Sequence, residues 1–324
     1  MPFLRFGRET GDAGNASPVG DGVIWGEDVY RASKRAEAGI AVSPARAGRP
    51  LCGNPECAGG WAAPWRSRRR PIFEDRWGCG GRCVLAMVRA AVRRESGEGA
   101  ASLETPHRHR VPLGLVLLAQ GWITQEQLRR ALDAQREHGT GRIGDWLVAE
   151  CGLEPEQVTR GLSVQWGCPV LTTEGFSPEV MARVMPRVFV EECEMLPLRV
   201  AGSRILYLGF EDRMDASLAF AVEQMSGLQV RSGLVGETQF RAARASLLEY
   251  EGVEARTEAA GDLDALAARV TALLERKQPV ASRLVRVHGY LWLRMWLEAS
   301  ASRTAGGLPV SNDDMLDYVF SVGS

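Results

Sequence analysis

Four of the seven cysteines fall within residues 51–95, in two close pairs: Cys52 with Cys57, and Cys79 with Cys83. Two such pairs can supply the four thiolates of a tetrahedral zinc site. Gly53, Pro55, Gly78, Gly80 and Gly81 supply the turns that bring thiolates together. The bland alternative is four unligated thiols, buried or fortuitous. The chain opens on Met-Pro-Phe-Leu-Arg-Phe-Gly-Arg, with no apolar leader. The expectation is therefore the reducing cytoplasm, where paired cysteines serve metals more often than disulfides. Cys151, Cys168 and Cys193 have no such neighbours and read as small core residues.

Between the cysteine pairs stand Trp61, Trp65, Arg66, Arg68, Arg69 and Arg70. Arginines beside aromatics can grip a nucleic-acid backbone and stack its bases. The same run can be a solvated loop of a small zinc fold. The formal net charge of −1 gives no global field toward nucleic acid or anionic lipid, so such a partner would have to use this patch. No stretch reaches the length of apolar residues that a membrane span needs.

Catalytic chemistry finds little support. The two lysines, Lys34 and Lys277, follow no glycine-rich loop, so a phosphate-cradling Gly-x-x-x-x-Gly-Lys-Ser/Thr sequence is missing. No Gly-x-Ser-x-Gly or His-Glu-x-x-His occurs either. His107, His109, His138 and His288 are scattered through linker and turn contexts and read as surface residues. The expectation is a non-enzymatic protein.

The elements that would position a site begin with an internal repeat. Residues 112–135 align with 142–165 without a gap. Leu113-Gly114 matches Ile143-Gly144, Leu117-Leu118-Ala119 matches Leu147-Val148-Ala149, and Glu126-Gln127 matches Glu156-Gln157. Leu132 matches Leu162, and Gln135 matches Gln165. Similarity this dense marks a duplicated supersecondary unit. Each copy reads as a helical hairpin. Leu113, Leu117 and Leu118 share one stripe, the first helix ends at Gly121, and Thr124 with Gln127 is a capping-box start for the second. In the second copy Cys151 replaces Gly121 and Gly152 follows, so the turn should persist with altered geometry.

The pattern of Arg-Leu-Gly, two apolar positions, Gly, then Leu and a closing Gln resembles the MshEN motif. That motif occurs twice in the N-terminal domains of type II secretion and type IV pilus ATPases. Trp166-Gly167-Cys168-Pro169-Val170, Leu196-Pro197-Leu198-Arg199, 205–210, 215–227 and 230–235 resemble the α/β half of the same domain, in the same order. The resemblance spans about residues 112–245 and implies cyclic-di-GMP lying along the two repeats. Carried over position by position, its contacts would be Leu113, Gly114, Leu117 and Gln135 in the first copy. In the second they would be Arg142, Ile143, Gly144, Leu147 and Gln165. An arginine there would pair with a phosphate or a guanine edge. Pro112 stands where the family motif has Arg, and Arg110 lies two residues upstream as a candidate substitute. Gln135 and Gln165 would either touch ligand or cap helix ends. The cysteine module, with its first pair in a knuckle and its second pair opening a helix, resembles a four-cysteine treble-clef zinc finger.

The expected architecture is multi-domain and α+β. Residues 1–50 read as disordered, 51–95 as the zinc module, 96–111 as a linker and 112–250 as the secretion-ATPase-like domain. Within that domain, 166–250 is the α/β part. Residues 251–262 read as a second linker. Residues 263–324 read as a C-terminal α+β segment: a helix at Leu263, Leu266, Ala267, Val270, Leu273 and Leu274, then a hairpin turning at Gly289, then a third strand or short helix at 317–322. The function so implied is a cytoplasmic adaptor that binds a secretion- or pilus-type protein partner or cyclic-di-GMP. The rival is a zinc-dependent nucleic-acid-binding regulator.

Overall fold

The computed structural model describes residues 52–57, 70–97, 110–202, 204–298, 308, 312 and 314–322. Residues 1–50, with their expectation of disorder, lie outside that set. The described chain is α+β.

The two repeats give four helices: α2 (Leu113–Ala119), α3 (Gln125–His138), α4 (Ile143–Cys151) and α5 (Pro155–Trp166). Thr124 Oγ1 accepts from the Gln127 amide at 3.2 Å, and the Gln127 side chain accepts from the Thr124 amide at 2.8 Å. These bonds close the expected capping box. The first turn is left-handed at Gly121 (φ 70°). In the second copy the helix runs on through Cys151, and Gly152 takes the left-handed conformation (φ 64°) one position later. The copies exchange partners. α3 packs along α4, and α2 packs against α5. Leu113, Leu117, Ile123, Ala131, Leu147 and Leu153 form one core between them.

The α/β half contributes a four-stranded sheet ordered β3-β6-β5-β4. Its strands are β3 (Val170–Leu171), β4 (Met195–Ala201), β5 (Ile205–Phe210) and β6 (Gln229–Val235). β4 runs antiparallel to β5, and the other pairings are parallel. Helices α6 (Pro178–Met181), α7 (Arg187–Glu192) and α8 (Ala216–Ser226) join these strands, α9 (Glu237–Leu248) follows the last of them, and together they bury Met181, Phe189, Leu218, Val222 and Phe240 in the sheet's core. Gly233 on β6 is there for space. A Cβ at this position would lie 2.6 Å from the Pro169 carbonyl oxygen and 2.6 Å from Leu171 Cγ. Gly233→Ala is therefore expected to cost about 1–3 kcal/mol by overpacking, read as a lower urea midpoint at unchanged slope.

A second four-stranded sheet is ordered β7-β10-β9-β8. It comprises β7 (Ala255–Ala260), β8 (Ala281–Val287), β9 (Tyr290–Trp296) and β10 (Met315–Val322), with α10 (Leu263–Lys277) between its first two strands. The expected helix and hairpin are present, and 317–322 is strand. Residues 255–260 depart from the expected linker. Polar and small, they show no apolar alternation, yet they form β7 through parallel pairing with β10, Ala255 standing opposite Asp317. Gly252 just before them is seated 2.7 Å, measured from a would-be Cβ, from the Ala182 carbonyl.

Both faces of this second sheet are covered. Trp292, Val285, Val287 and Val319 point into the core of the α/β half. Leu284, Leu291, Leu293, Met295, Tyr318 and Phe320 point the other way, onto α10 and onto α1 (Gly81–Ser96). Here the cysteine module and the tail, read from sequence as separate pieces, share one core. Val84, Val88, Ala91 and Val92 of α1 pack with Leu266, Ala267, Val270, Leu273 and Leu274 of α10. A short hairpin, β1 (Ile72–Phe73) and β2 (Arg76–Trp77), precedes α1. Its Ile72 amide donates to Pro279 O at 3.1 Å, its Glu74 amide donates to Ser282 O at 2.8 Å, and Ile72 O accepts from Ser282 Oγ at 2.8 Å.

Candidate functional site

Cys52 and Cys57 flank a turn in which the Cys57 amide donates to Asn54 O at 3.1 Å. The Gly53 amide donates to Trp77 O at 2.7 Å and fastens that turn to the β1–β2 hairpin. Cys79 precedes α1 and Cys83 lies in its first turn. The four sulfur atoms lie within 4.8 Å of one another. Cys79 Sγ is 3.5 Å from both Cys57 Sγ and Cys83 Sγ. Zinc–thiolate bonds of about 2.3 Å in a tetrahedron would place sulfurs roughly 3.8 Å apart, so the donor set fits such an ion. N–H groups already serve the sulfurs, among them the Cys79 amide, which donates to Cys52 Sγ at 3.4 Å, and Asn54 Nδ2, which donates to Cys83 Sγ at 3.5 Å. Burial, and then the neighbouring thiols, push Cys79 up to about 12. Four bare thiolates side by side are unfavourable, and a bound dication relieves the crowding. Trp61, Trp65, Arg66, Arg68 and Arg69 lie outside the described residues, and Arg70 is exposed.

The nine positions carried over for a dinucleotide separate into three groups. Leu113, Gly114, Leu117, Gly144 and Leu147 are buried in the repeat core. The two glycines sit against opposing helices, since a Cβ on Gly114 would meet Leu128 Cδ1 at 2.5 Å and one on Gly144 would meet Val158 Cγ1 at 2.8 Å. Ile143, Gln135 and Gln165 are half-buried, and Arg142 is exposed. The glutamines work as a reciprocal clasp. Gln135 Nε2 donates to Gly141 O at 2.8 Å, just ahead of the second copy. Gln165 Nε2 donates to Val111 O at 2.7 Å, just ahead of the first. Each copy's end thus holds the other's start. Arg142 Nη1 pairs with Asp212 at 2.8 Å. Arg110, beside Pro112, lays its guanidinium 3.3 Å from the Trp166 ring centroid. Each copy therefore begins with an arginine nearby, although the first lacks it at the motif position.

Two constellations were not legible in the sequence. His288, in the β8–β9 turn, places Nε2 2.8 Å from Asp215 Oδ2 and Nδ1 4.0 Å from Cys193 Sγ. Asp215 Oδ1 accepts from the Ser217 amide, Ser217 Oγ and the Leu218 amide, leaving Oδ2 for the imidazole. The order of groups is that of a nucleophile, a base and an orienting acid. However, burial, then Glu192 and Asp215, push the Cys193 thiol up to about 11, so it keeps its proton at neutral pH. The triplet ties the α8 N-terminus to the second sheet. The other constellation is a buried ion pair. Arg294 donates to Asp317 through Nε at 2.8 Å and Nη2 at 2.7 Å, and through Nη1 to Val184 O at 3.0 Å. Trp292 Nε1 donates to the same carboxylate at 2.9 Å.

Among the described residues no helix is long and apolar enough to cross a membrane. No family model matches the chain. The type IV pilus assembly ATPase PilB of Myxococcus xanthus (strain DK1622) is 29% identical over 135 residues, which cover 40% of this chain and 23% of that protein. This chain thus spans about a quarter of the relative's length. Among solved structures, one of MshE with cdg is 24% identical and covers 42% of this chain and 98% of that one, at a TM-score of 0.35. The N-terminal domain of XpsE is 18% identical and covers 41% and 92%, at a TM-score of 0.30. At such scores the superpositions add no argument to what the residues carry. On those residues, the duplicated helical motif and the α/β half that follows it resemble the N-terminal domain of type II secretion and type IV pilus assembly ATPases.

Proposed function

We propose that this chain is a non-enzymatic regulatory adaptor of the cytoplasm whose paired repeats receive cyclic-di-GMP or a secretion- or pilus-type protein partner. The observation that carries the reading is the clasped pair of repeats, with Arg110 and Arg142 standing at the two starts. An anionic, flat ligand laid along the pair meets a guanidinium at each end. The resemblance to the motif supplies the expectation of cyclic-di-GMP. Titration calorimetry with cyclic-di-GMP tests it. Arg142→Ala removes one charge-assisted contact, about 1.5–3 kcal/mol, so affinity is expected to fall about ten- to a hundredfold. Parent protein that takes up no ligand at high micromolar concentration would leave the repeats as a protein-docking surface.

The four thiols, in this reading, hold one structural zinc ion. Closed coordination by four thiolates leaves no open position for a substrate, and the ion's contribution is to folding. Elemental analysis of the purified chain is expected to give one zinc per polypeptide. Iron in its place would keep the site and change the metal.

A further inference from the structure

We infer that metal occupancy at Cys52, Cys57, Cys79 and Cys83 governs the folding of the C-terminal sheet, so that the thiol site, residues 263–298 and residues 314–322 form one metal-linked unit; this rests on the zinc reading above. A conventional small finger is closed by its metal and its own few apolar residues. Here the finger's helix spends its apolar face elsewhere. Val84, Val88, Ala91 and Val92 of α1 are buried against α10 and the second sheet. The sites of attachment run the length of the helix. At its start, Cys79 and Cys83 bracket the first turn, and the Cys83 amide donates to Gly80 O at 2.9 Å. Midway, Arg89 Nε pairs with Asp264 at 3.0 Å. At its end, Glu95 Oε2 accepts from the Arg286 amide at 3.0 Å and Ser96 O accepts from Arg286 Nη1 at 3.2 Å.

The β1–β2 hairpin adds backbone bonds to the strip that opens β8, through Pro279 and Ser282. Arg283 joins the two sides again, reaching Asp75 Oδ2 at 3.2 Å and Gln224 O at 2.6 Å. Opening the thiol site frees the first turn of α1 and the knuckle behind the hairpin. The helix then loses the anchor that fixes its angle on α10. Unseating it uncovers Leu266, Val270 and Leu273 on α10 together with the part of the sheet's outer face that α1 covers. Coupling of this kind is reciprocal: whatever loosens the helix seam must also weaken metal retention.

The test uses the full chain, with zinc itself as the probe. Hydrogen exchange is compared in zinc-loaded protein and in protein stripped by a strong chelator under reducing conditions. Expected is loss of protection in 84–92 together with 266–274 and 284–295, with protection of 113–166 retained, and recovery on adding zinc. Loss confined to 52–97, with 266–295 unchanged, would overturn the coupling. Absence of any zinc uptake by the purified chain would overturn the site itself, and the coupling with it. A second variant needs no stripping. Val270→Ala lies on α10, away from the thiols, and is expected to release zinc to a chromogenic chelator several-fold faster than the parent. An unchanged release rate would make the metal a local clip.

Discussion

Asp317→Ala is expected to lower the chain's unfolding free energy by about 3–5 kcal/mol, out of a total of about 5–15 kcal/mol. Asp317 is fully buried, and the Arg294 side chain is 3% exposed. The carboxylate accepts three hydrogen bonds: two from Arg294 and one from Trp292. Truncation leaves a guanidinium in the interior with no counter-charge, and Arg does not shed its proton to escape. The alternative of replacing both partners is different. Arg294→Met combined with Asp317→Leu removes both charges and fills their space, and is expected to cost less than the single variant, the remaining cost being the Trp292 N–H and the Val184 carbonyl left without partners. Urea unfolding of the parent, the single and the double variant checks this. A single variant within about 1 kcal/mol of the parent would refute the ion pair as drawn. The pair also reaches Val184 O, so it fastens the second sheet to the α/β half. The single variant should therefore expose the seam around Trp292 and Phe189, whose rings meet edge-on at 5.3 Å between centroids.

Cys79→Ser is expected to have the larger effect. Cys79 Sγ is the central sulfur, 3.5 Å from two of the other three. An oxygen at this position is a harder donor with a shorter reach, and one alcohol among three thiolates makes a poor zinc ligand. Structural zinc contributes about 10–16 kcal/mol of apparent folding free energy in small fingers at neutral pH. The zinc content should fall from one per chain to none, with loss of far-ultraviolet helix signal from α1. Full zinc content in the variant would mean that three thiols suffice and that the fourth position is open.

Much of the site was legible because local spacing carries it. Cys79 and Cys83 bracket a helix start, and Thr124 with Gln127 writes its cap into three residues. The repeats were legible because both copies keep Leu-Gly or Ile-Gly where helices cross closely. Their exchange of partners was not, since α2 on α5 is fixed by Leu113 and Leu117 fitting over Gly161, and no local pattern tells which copy supplies that groove. The contacts carried over for a ligand show the same limit. The motif offers Leu113, Leu117 and Leu147 as ligand contacts, and periodicity alone would equally make them core, where the structure places them. β7 was hidden because Ala255-Arg-Thr-Glu-Ala-Ala260 has no apolar face and owes its strand to β10. Arg294 interrupts an apolar run in the sequence, and only the neighbouring strand, with Asp317, supplies its counter-charge.

The clasp between Gln135 and Gly141, and between Gln165 and Val111, has an implication for the order of the two copies. Besides the contact each hairpin makes within itself at its glycine, the start of each is held by the end of the other. The two bonds differ in reach: Gln135 meets Gly141 across six residues of its own spacer, whereas Gln165 meets Val111 across 54 and needs both copies in one chain. The long-range bond fixes the order of the copies along the chain and leaves each free to differ from the other. Pro112 opposite Arg142, and Gly121 opposite Cys151, are such differences, and they sit at a helix start and a helix end, where one copy can change without unseating the other.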